Sequence, residues 1–184
     1  MNESLIKNIV DSIFNLSKNE SAYLGAINEP FILDSSIIDL LQECKFNYTI
    51  NDDRSFPKVS VKVFLGDYSQ GGTKIDYYCF LEFSKLFRDV VHVYFRYIIN
   101  NPDVDRLSGI LTDDVYEPLT VKQYDFYENL KDVFKNLNIQ ILSYNEVYYV
   151  LCNMQVGKAG LGFFGHQPTL GLLLFNDYFD LCPD

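Results

Sequence analysis

Apolar residues in the first quarter of the chain recur at helical spacing. Over residues 4–18 they fall every three or four positions, which predicts an amphipathic helix. The next segment, 19–34, contains a glycine and a proline that interrupt regular structure, so we predict an irregular connection there. A second, shorter helix is predicted to begin at Ser35 or Ser36, whose hydroxyls suit a cap, and to run through Cys44.

The middle of the chain changes from a helical period to an alternating one. Over 59–65, valine and leucine alternate with other residues, as in a half-buried strand. A second alternating run covers 75–83, and Gly71-Gly72 between the two runs supplies a tight turn. We therefore predict an antiparallel pair of strands.

Residues 86–99, LFRDVVHVYFRYII, fit two patterns. The β-branched and aromatic residues favour a strand, whereas a stripe at helical spacing is also present. We favour the strand and keep the helix as the alternative. Residues 100–119 then form a long acidic connection.

The most regular helical signal lies in the last third of the chain. Thr120 and Gln123 make a capping box, in which each side chain satisfies the other's backbone donor. Apolar residues at helical intervals follow, and they predict a helix over 121–137. Strands are predicted over 139–142, 147–152 and 170–175, with a glycine-rich loop over 157–165.

Helices at both ends of a run of antiparallel strands predict an α+β fold. We expect a mainly antiparallel sheet with about three helices packed on it. The length of 184 residues suits a single compact domain over 1–184 with one sizeable core.

The net charge of the chain indicates which classes of partner it can bind. Fifteen basic and 25 acidic residues give a net charge of −10, and no two basic residues are adjacent. Direct binding to nucleic acid or to an anionic membrane needs clustered cations, so we expect neither. A basic protein partner is favoured instead. The 15 Phe and 14 Tyr indicate a large aromatic core, with an aromatic binding surface as the alternative.

The four cysteines give no sign of a metal site or of disulfides. Cys44, Cys79, Cys152 and Cys182 lie far apart in sequence, without the close spacing of zinc ligands. The first residues have neither the basic region nor the apolar stretch of a secretion signal. We expect a cytoplasmic protein with reduced thiols and with no metal or other cofactor.

The glycine-rich loop contains Gly160-Leu161-Gly162-Phe163-Phe164-Gly165, which matches the phosphate-binding pattern G-x-G-x-x-G. Too little chain follows it to complete a dinucleotide-binding unit. A small enzyme with its site near the 157–168 loop stays open as an alternative. His166 would be its acid or base, and Cys152 or a nearby acid its partner.

Two segments combine acids with tyrosine, a combination that suits binding to a basic protein because tyrosine adds contact area while acids steer the encounter. The candidate partner-binding residues are Asp103, Asp105, Asp113, Asp114, Tyr116, Glu117, Asp177, Tyr178 and Asp180. The favoured function is a non-catalytic acidic module that occludes a basic partner, as inhibitors and toxin-immunity proteins do. A homo-oligomeric structural protein is the third possibility.

Overall fold

The computed structural model describes residues 3–17, 19–54, 56–100, 110–111, 114–151 and 168–176. Six helices and six strands lie in this part of the chain. The helices are α1 (Glu3–Ser17), α2 (Glu20–Asn28), α3 (Ser35–Glu43), α4 (Val121–Asn136), α5 (Tyr144–Val147) and α6 (Leu170–Phe175). The strands are β1 (Asn47–Asn51), β2 (Lys58–Gln70), β3 (Thr73–Ser84), β4 (Val90–Asn100), β5 (Ile110–Leu111) and β6 (Gln140–Leu142).

All six strands belong to one mixed sheet. Strands β1 to β5 follow one another in sequence order, each antiparallel to the next. The outer side of β4 has two neighbours: β6 runs parallel to its first residues, and β5 pairs antiparallel with its last. The predicted turn joins β2 to β3, with Gly71 at φ 59° and Gly72 at φ 82°, angles that side chains other than glycine rarely adopt.

The first face of the sheet packs against α3 and α4. Alternate residues of β2, from Val59 to Leu65, are almost completely buried on this side. Phe126, Leu130 and Phe134, at helical spacing on α4, join them in one apolar cluster. Burial of one such side chain contributes roughly 1.5–3 kcal/mol, so this cluster accounts for much of the stability.

The second face of the sheet is covered at one end only. Val90 turns to this side and joins a cluster built from α1, α2, α5 and α6, whereas the adjacent Val91 belongs to the first cluster. The Ser84 hydroxyl donates to the carbonyl of Leu174 over 3.0 Å, which fixes α6 against β3. Towards the other end, polar and aromatic side chains of β2, β3 and β4 remain partly exposed.

The α+β prediction is confirmed, and so are the helices predicted over 4–18 and 121–137, the β2–β3 hairpin and the strand within 86–99. The capping box of α4 is also present, with Thr120 Oγ1 accepting from the Gln123 N–H over 3.1 Å. The second predicted helix, α3, is present, but its cap is the Asp34 carboxylate, which accepts from the Ser36 N–H.

The prediction of an irregular segment over 19–34 was wrong for its first half. Asn19 caps α2 by accepting from the Ala22 N–H, and the helix continues through Gly25. Pro30 lies beyond the helix end, where it interrupts nothing. Glycine lowers helix propensity without forbidding the helix, and the burial of Tyr23 and Ile27 outweighs that cost. Strand β1 was not predicted.

The strands predicted over 147–152 and 170–175 were wrong as well. In its described residues, 147–151, the first region ends helix α5 and then contains only an isolated bridge, between Val150 and Thr169. The second is α6, whose run LGLLLF has no period because it is buried on nearly every side. Periodicity cannot separate a fully buried strand from a fully buried short helix. Here the Thr169 cap, which accepts from the Leu172 N–H, begins the helix.

Candidate functional site

An open pocket of about 430 Å³ lies on the second face of the sheet, between β4 and helices α5 and α6. We call it the β4 pocket. Its lining combines charged and aromatic residues of the strands and of the segment after β5 with apolar and polar residues of α5, α6 and their ends: Lys58, Glu82, His92, Tyr94, Arg96, Asp114, Val147, Tyr148, Thr169, Gly171, Leu172, Phe175 and Asn176. The volume falls in the range typical of small-molecule sites.

Glu82 is the centre of a hydrogen-bonded network in the pocket. Strand pairing places it directly opposite His92, and its carboxylate lies 2.7 Å from the Lys58 ammonium. The Nδ1 of His92 lies 3.6 Å from Glu82 Oε2, and the Tyr94 hydroxyl donates to Oε1 over 3.4 Å. Burial opposes ionisation of Glu82, but His92 and Lys58 outweigh it and hold the pKa of this carboxyl below its usual value.

The second ion pair of the pocket joins β4 to the segment that follows β5. The Nε of Arg96 donates to Asp114, and this hydrogen bond raises the pKa of the guanidinium. The guanidinium carbon lies 5.3 Å from the ring centre of Phe80 and 5.2 Å from that of Tyr94, so cation–π contacts also hold it. The two rings stack on each other at 5.1 Å. The Arg96 side chain is therefore held in one position by a carboxylate and two aromatic rings.

His92 is enclosed by aromatic rings. Tyr116 stacks on the imidazole with ring centres 5.6 Å apart, and Phe175 of α6 lies 5.9 Å away on a tilted plane. Only 5% of the residue is exposed. Within the described part of the chain, its Nε2 is buried without a hydrogen-bond partner. Buried polar atoms are nearly always satisfied, so this nitrogen is an exception among the described residues.

Three tyrosines in mutual contact form a cluster that reaches the pocket through Tyr148, and we call them the tyrosine rim. The ring centres of Tyr116 and Tyr144 are 4.8 Å apart, and those of Tyr144 and Tyr148 are 4.6 Å apart. The hydroxyls of Tyr116 and Tyr148 are hydrogen-bonded at 3.2 Å. Burial, followed by this hydrogen bond, raises the pKa of the Tyr116 phenol. Tyr144 and Tyr148 are 50% and 48% exposed, so the rim presents aromatic surface to the solvent.

Three of the predicted partner-binding residues lie in the described part of the chain, close to the β4 pocket. Asp114 lines the pocket and pairs with Arg96, and Tyr116 stacks on His92. Glu117 is exposed beside them. The other predicted residues lie outside the described residues: Asp103, Asp105, Asp113, Asp177, Tyr178 and Asp180. The enzyme candidates Cys152 and His166 lie outside them too, together with residues 157–167 of the predicted loop.

The residues that the strands contribute to the pocket were not predicted from the sequence. A signal was present, because Glu82, His92 and Arg96 each interrupt a run of apolar residues within a strand. A charged or polar side chain at such a position has to be satisfied by neighbours, and those neighbours lie on other strands. Their identity depends on strand register, which the chain pattern alone does not provide.

Comparisons of the chain with protein-family models, with curated protein sequences and with solved structures find no match. Among the described residues, no group of three His, Cys, Asp or Glu side chains is arranged to hold a metal ion. A search of the same residues for a helix with the length and apolar character of a membrane span finds none. The site itself therefore supplies the evidence about function.

Proposed function

We propose that the chain is a non-catalytic protein-binding module whose tyrosine rim and surrounding acids occupy a basic surface of another protein. The observation that carries this proposal is the clustering of Tyr116, Tyr144 and Tyr148, with two of the rings about half exposed. Tyrosine is enriched where proteins bind one another, because its ring packs while its hydroxyl stays hydrogen-bonded.

The ring contacts within the rim reduce the entropy that binding would otherwise cost. Tyr144 packs against both Tyr116 and Tyr148, and Tyr116 is in turn stacked on the buried His92. Side chains that are already ordered lose little freedom when a partner covers them. A preorganised aromatic cluster of this kind has the properties of an interface hot spot.

The distribution of charge supports a basic partner. The net charge is −10, and most described cations are engaged within the protein. Six of them take part in ion pairs: Lys58, Lys74, Lys85, Arg88, Arg96 and Lys131. Lys62 and Lys122 lie over aromatic rings. Each ion pair cancels one acid together with one base, so the excess of acids remains and gives the protein a negative field, which accelerates encounter with a positive surface.

An acid adjoins the rim in sequence. Glu117 follows Tyr116 directly and is exposed. Polar and charged residues at the edge of an aromatic cluster are typical of the periphery of a protein interface.

The test is a binding experiment in two stages. Basic proteins are first captured from the source organism's lysate, and each is then purified and titrated into the chain at low and at high salt. We expect one of them to bind with an affinity that falls as salt rises. Tyr144→Ala and Tyr148→Ala should each weaken that binding by roughly tenfold or more, as hot-spot residues do.

The matched control is Tyr68→Ala, because Tyr68 is 53% exposed but lies on the β2–β3 hairpin, where its hydroxyl bonds to Gln70. This variant should bind like the original chain. The proposal fails if no basic protein binds after purification, or if the rim variants bind as tightly as the control.

A further inference from the structure

We infer that the β4 pocket binds a small zwitterion, with one ammonium and one carboxylate group, of the class of free α-amino acids with an apolar or aromatic side chain. This inference is independent of protein binding by the rim. It starts from the pocket's volume of about 430 Å³ and from its two ion pairs, Lys58–Glu82 and Arg96–Asp114.

The pocket is lined by two cationic and two carboxylate side chains, and this equal number favours a ligand that carries both charges. An anion alone would approach Lys58 and Arg96 but would be repelled by the two carboxylates. A cation alone would approach Glu82 and Asp114 but would be repelled by Lys58 and Arg96. A zwitterion places its carboxylate near the cations and its ammonium near Glu82 or Asp114, and so adds charge-assisted hydrogen bonds without adding net charge.

The charged side chains are held in place but still reach the pocket. The side chains of Lys58, Arg96 and Asp114 are 28%, 32% and 25% exposed, and that of Glu82 is 11% exposed. The bond to Glu82 uses one of the three donors of the Lys58 ammonium, and the bond to Asp114 uses the Nε donor of Arg96. Donors of both cations therefore remain for a ligand carboxylate.

Helices α5 and α6 contribute apolar side chains to the pocket. These are Val147, Leu172 and Phe175, and the polar residues Tyr148, Thr169 and Asn176 at the helix ends also line it. A ligand whose charged groups bind the strands would place its side chain against the three apolar residues, where apolar or aromatic groups gain burial. The pocket therefore favours leucine-like or phenylalanine-like ligands over small or charged amino acids.

His92 contributes a buried ring nitrogen that has no hydrogen-bond partner among the described residues. Its Nδ1 faces Glu82, whereas Nε2 has no hydrogen-bond partner within the described residues. His92 lines the pocket, but its Nε2 is buried, so a ligand group or a water would reach this atom only if the surrounding side chains moved.

The test uses leucine and phenylalanine as probes, with calorimetry and thermal unfolding as readouts. The matched controls are isoamylamine and 2-phenylethylamine, which lack the carboxylate, and 4-methylpentanoic and 3-phenylpropionic acids, which lack the ammonium. We expect at least one amino acid to bind and to raise the melting temperature, and the matched amine and acid to bind roughly tenfold or more weakly. The inference is overturned if neither amino acid binds, or if an amine or an acid binds as well as its amino acid.

Variants and a map of the unmodified chain locate the site. Lys58→Met and Asp114→Asn should each weaken binding by roughly tenfold, whereas Lys74→Met should not, because Lys74 pairs with Asp76 on the β2–β3 hairpin. If a pocket variant fails to fold, the binding site is located instead by NMR chemical shifts of the original chain. Addition of the ligand should move the backbone amides of Tyr148, Thr169 and Leu172, and shifts confined to other residues would overturn the assignment.

Discussion

Glu82 and His92 face each other across strands β3 and β4, with Oε2 of the carboxylate 3.6 Å from Nδ1 of the imidazole. Both residues are more than nine-tenths buried, and the Lys58 ammonium approaches the other carboxylate oxygen at 2.7 Å. A carboxylate in this position neutralises Lys58 and orients the imidazole at the same time. The arrangement of Lys58 and His92 in the β4 pocket depends on this one residue.

Replacement of Glu82 by glutamine should therefore destabilise the protein. The change removes the charge but keeps the size, and it leaves Lys58 and His92 without their anionic partner. We expect the free energy of unfolding to fall by about 2–3 kcal/mol, measured by urea denaturation. Glu128→Gln is the control, since its pair with Lys131 is exposed and should contribute at most about 0.5 kcal/mol. Equal effects of the two substitutions would contradict a central role for Glu82.

The same carboxylate should make stability depend on acid pH. The pKa of Glu82 in the folded protein is lowered from 4.5, so its stabilising contribution is fully present above that value. The contribution is lost as the pH falls through the lowered pKa of the folded state. We expect Glu82→Gln to lose less stability than the original chain over this acidic window, in thermal unfolding recorded at successive pH values. An unchanged pH profile in the variant would show that other carboxylates dominate acid unfolding.

Two helical glycines should respond in opposite directions to alanine. A Cβ at Gly25 in α2 would meet no atom within 4 Å, whereas at Gly171 in α6 it would lie 2.6 Å from Val147 Cγ1. Gly25→Ala should therefore stabilise the protein by about 0.5–1 kcal/mol through better helix propensity. Gly171→Ala should destabilise it by about 1–3 kcal/mol through overpacking between α5 and α6. Chemical denaturation of both variants tests this pair, and stabilisation by Gly171→Ala would contradict the close packing of these helices.

The capping box of α4 gives a prediction about local stability. Thr120 Oγ1 accepts from the Gln123 N–H, and the Gln123 carboxamide oxygen accepts in return from the Thr120 N–H over 3.1 Å. Thr120→Ala should cost about 1 kcal/mol, while Thr120→Ser should retain most of the cap. Hydrogen exchange should show faster exchange at the Gln123 and Tyr124 amides in the alanine variant than in the serine variant. Equal exchange in the two variants would show that the hydroxyl is not needed.

The elements that could be predicted from the sequence are those specified by residues a few positions apart. The capping box begins α4, and Gly71 and Gly72 close the β2–β3 hairpin, because each depends on residues a few positions apart. The α+β class followed from these elements and from the change of period. The acidic charge, which motivates the proposed basic partner, is likewise a property of composition.

Tertiary packing decided the rest. Helix α6 lies where a strand was predicted. Its residues are buried on nearly every side, so the hydrophobic pattern has no period that separates a strand from a helix, and the surrounding elements determine which one forms. The β4 pocket depends on the register of the strands, because Lys58, Arg96 and Asp114 are far apart in sequence. They come together only when β2, β3 and β4 are aligned and the chain after β5 has returned to β4. Sequence pattern specifies which faces of an element are buried, whereas a site is specified by which faces meet.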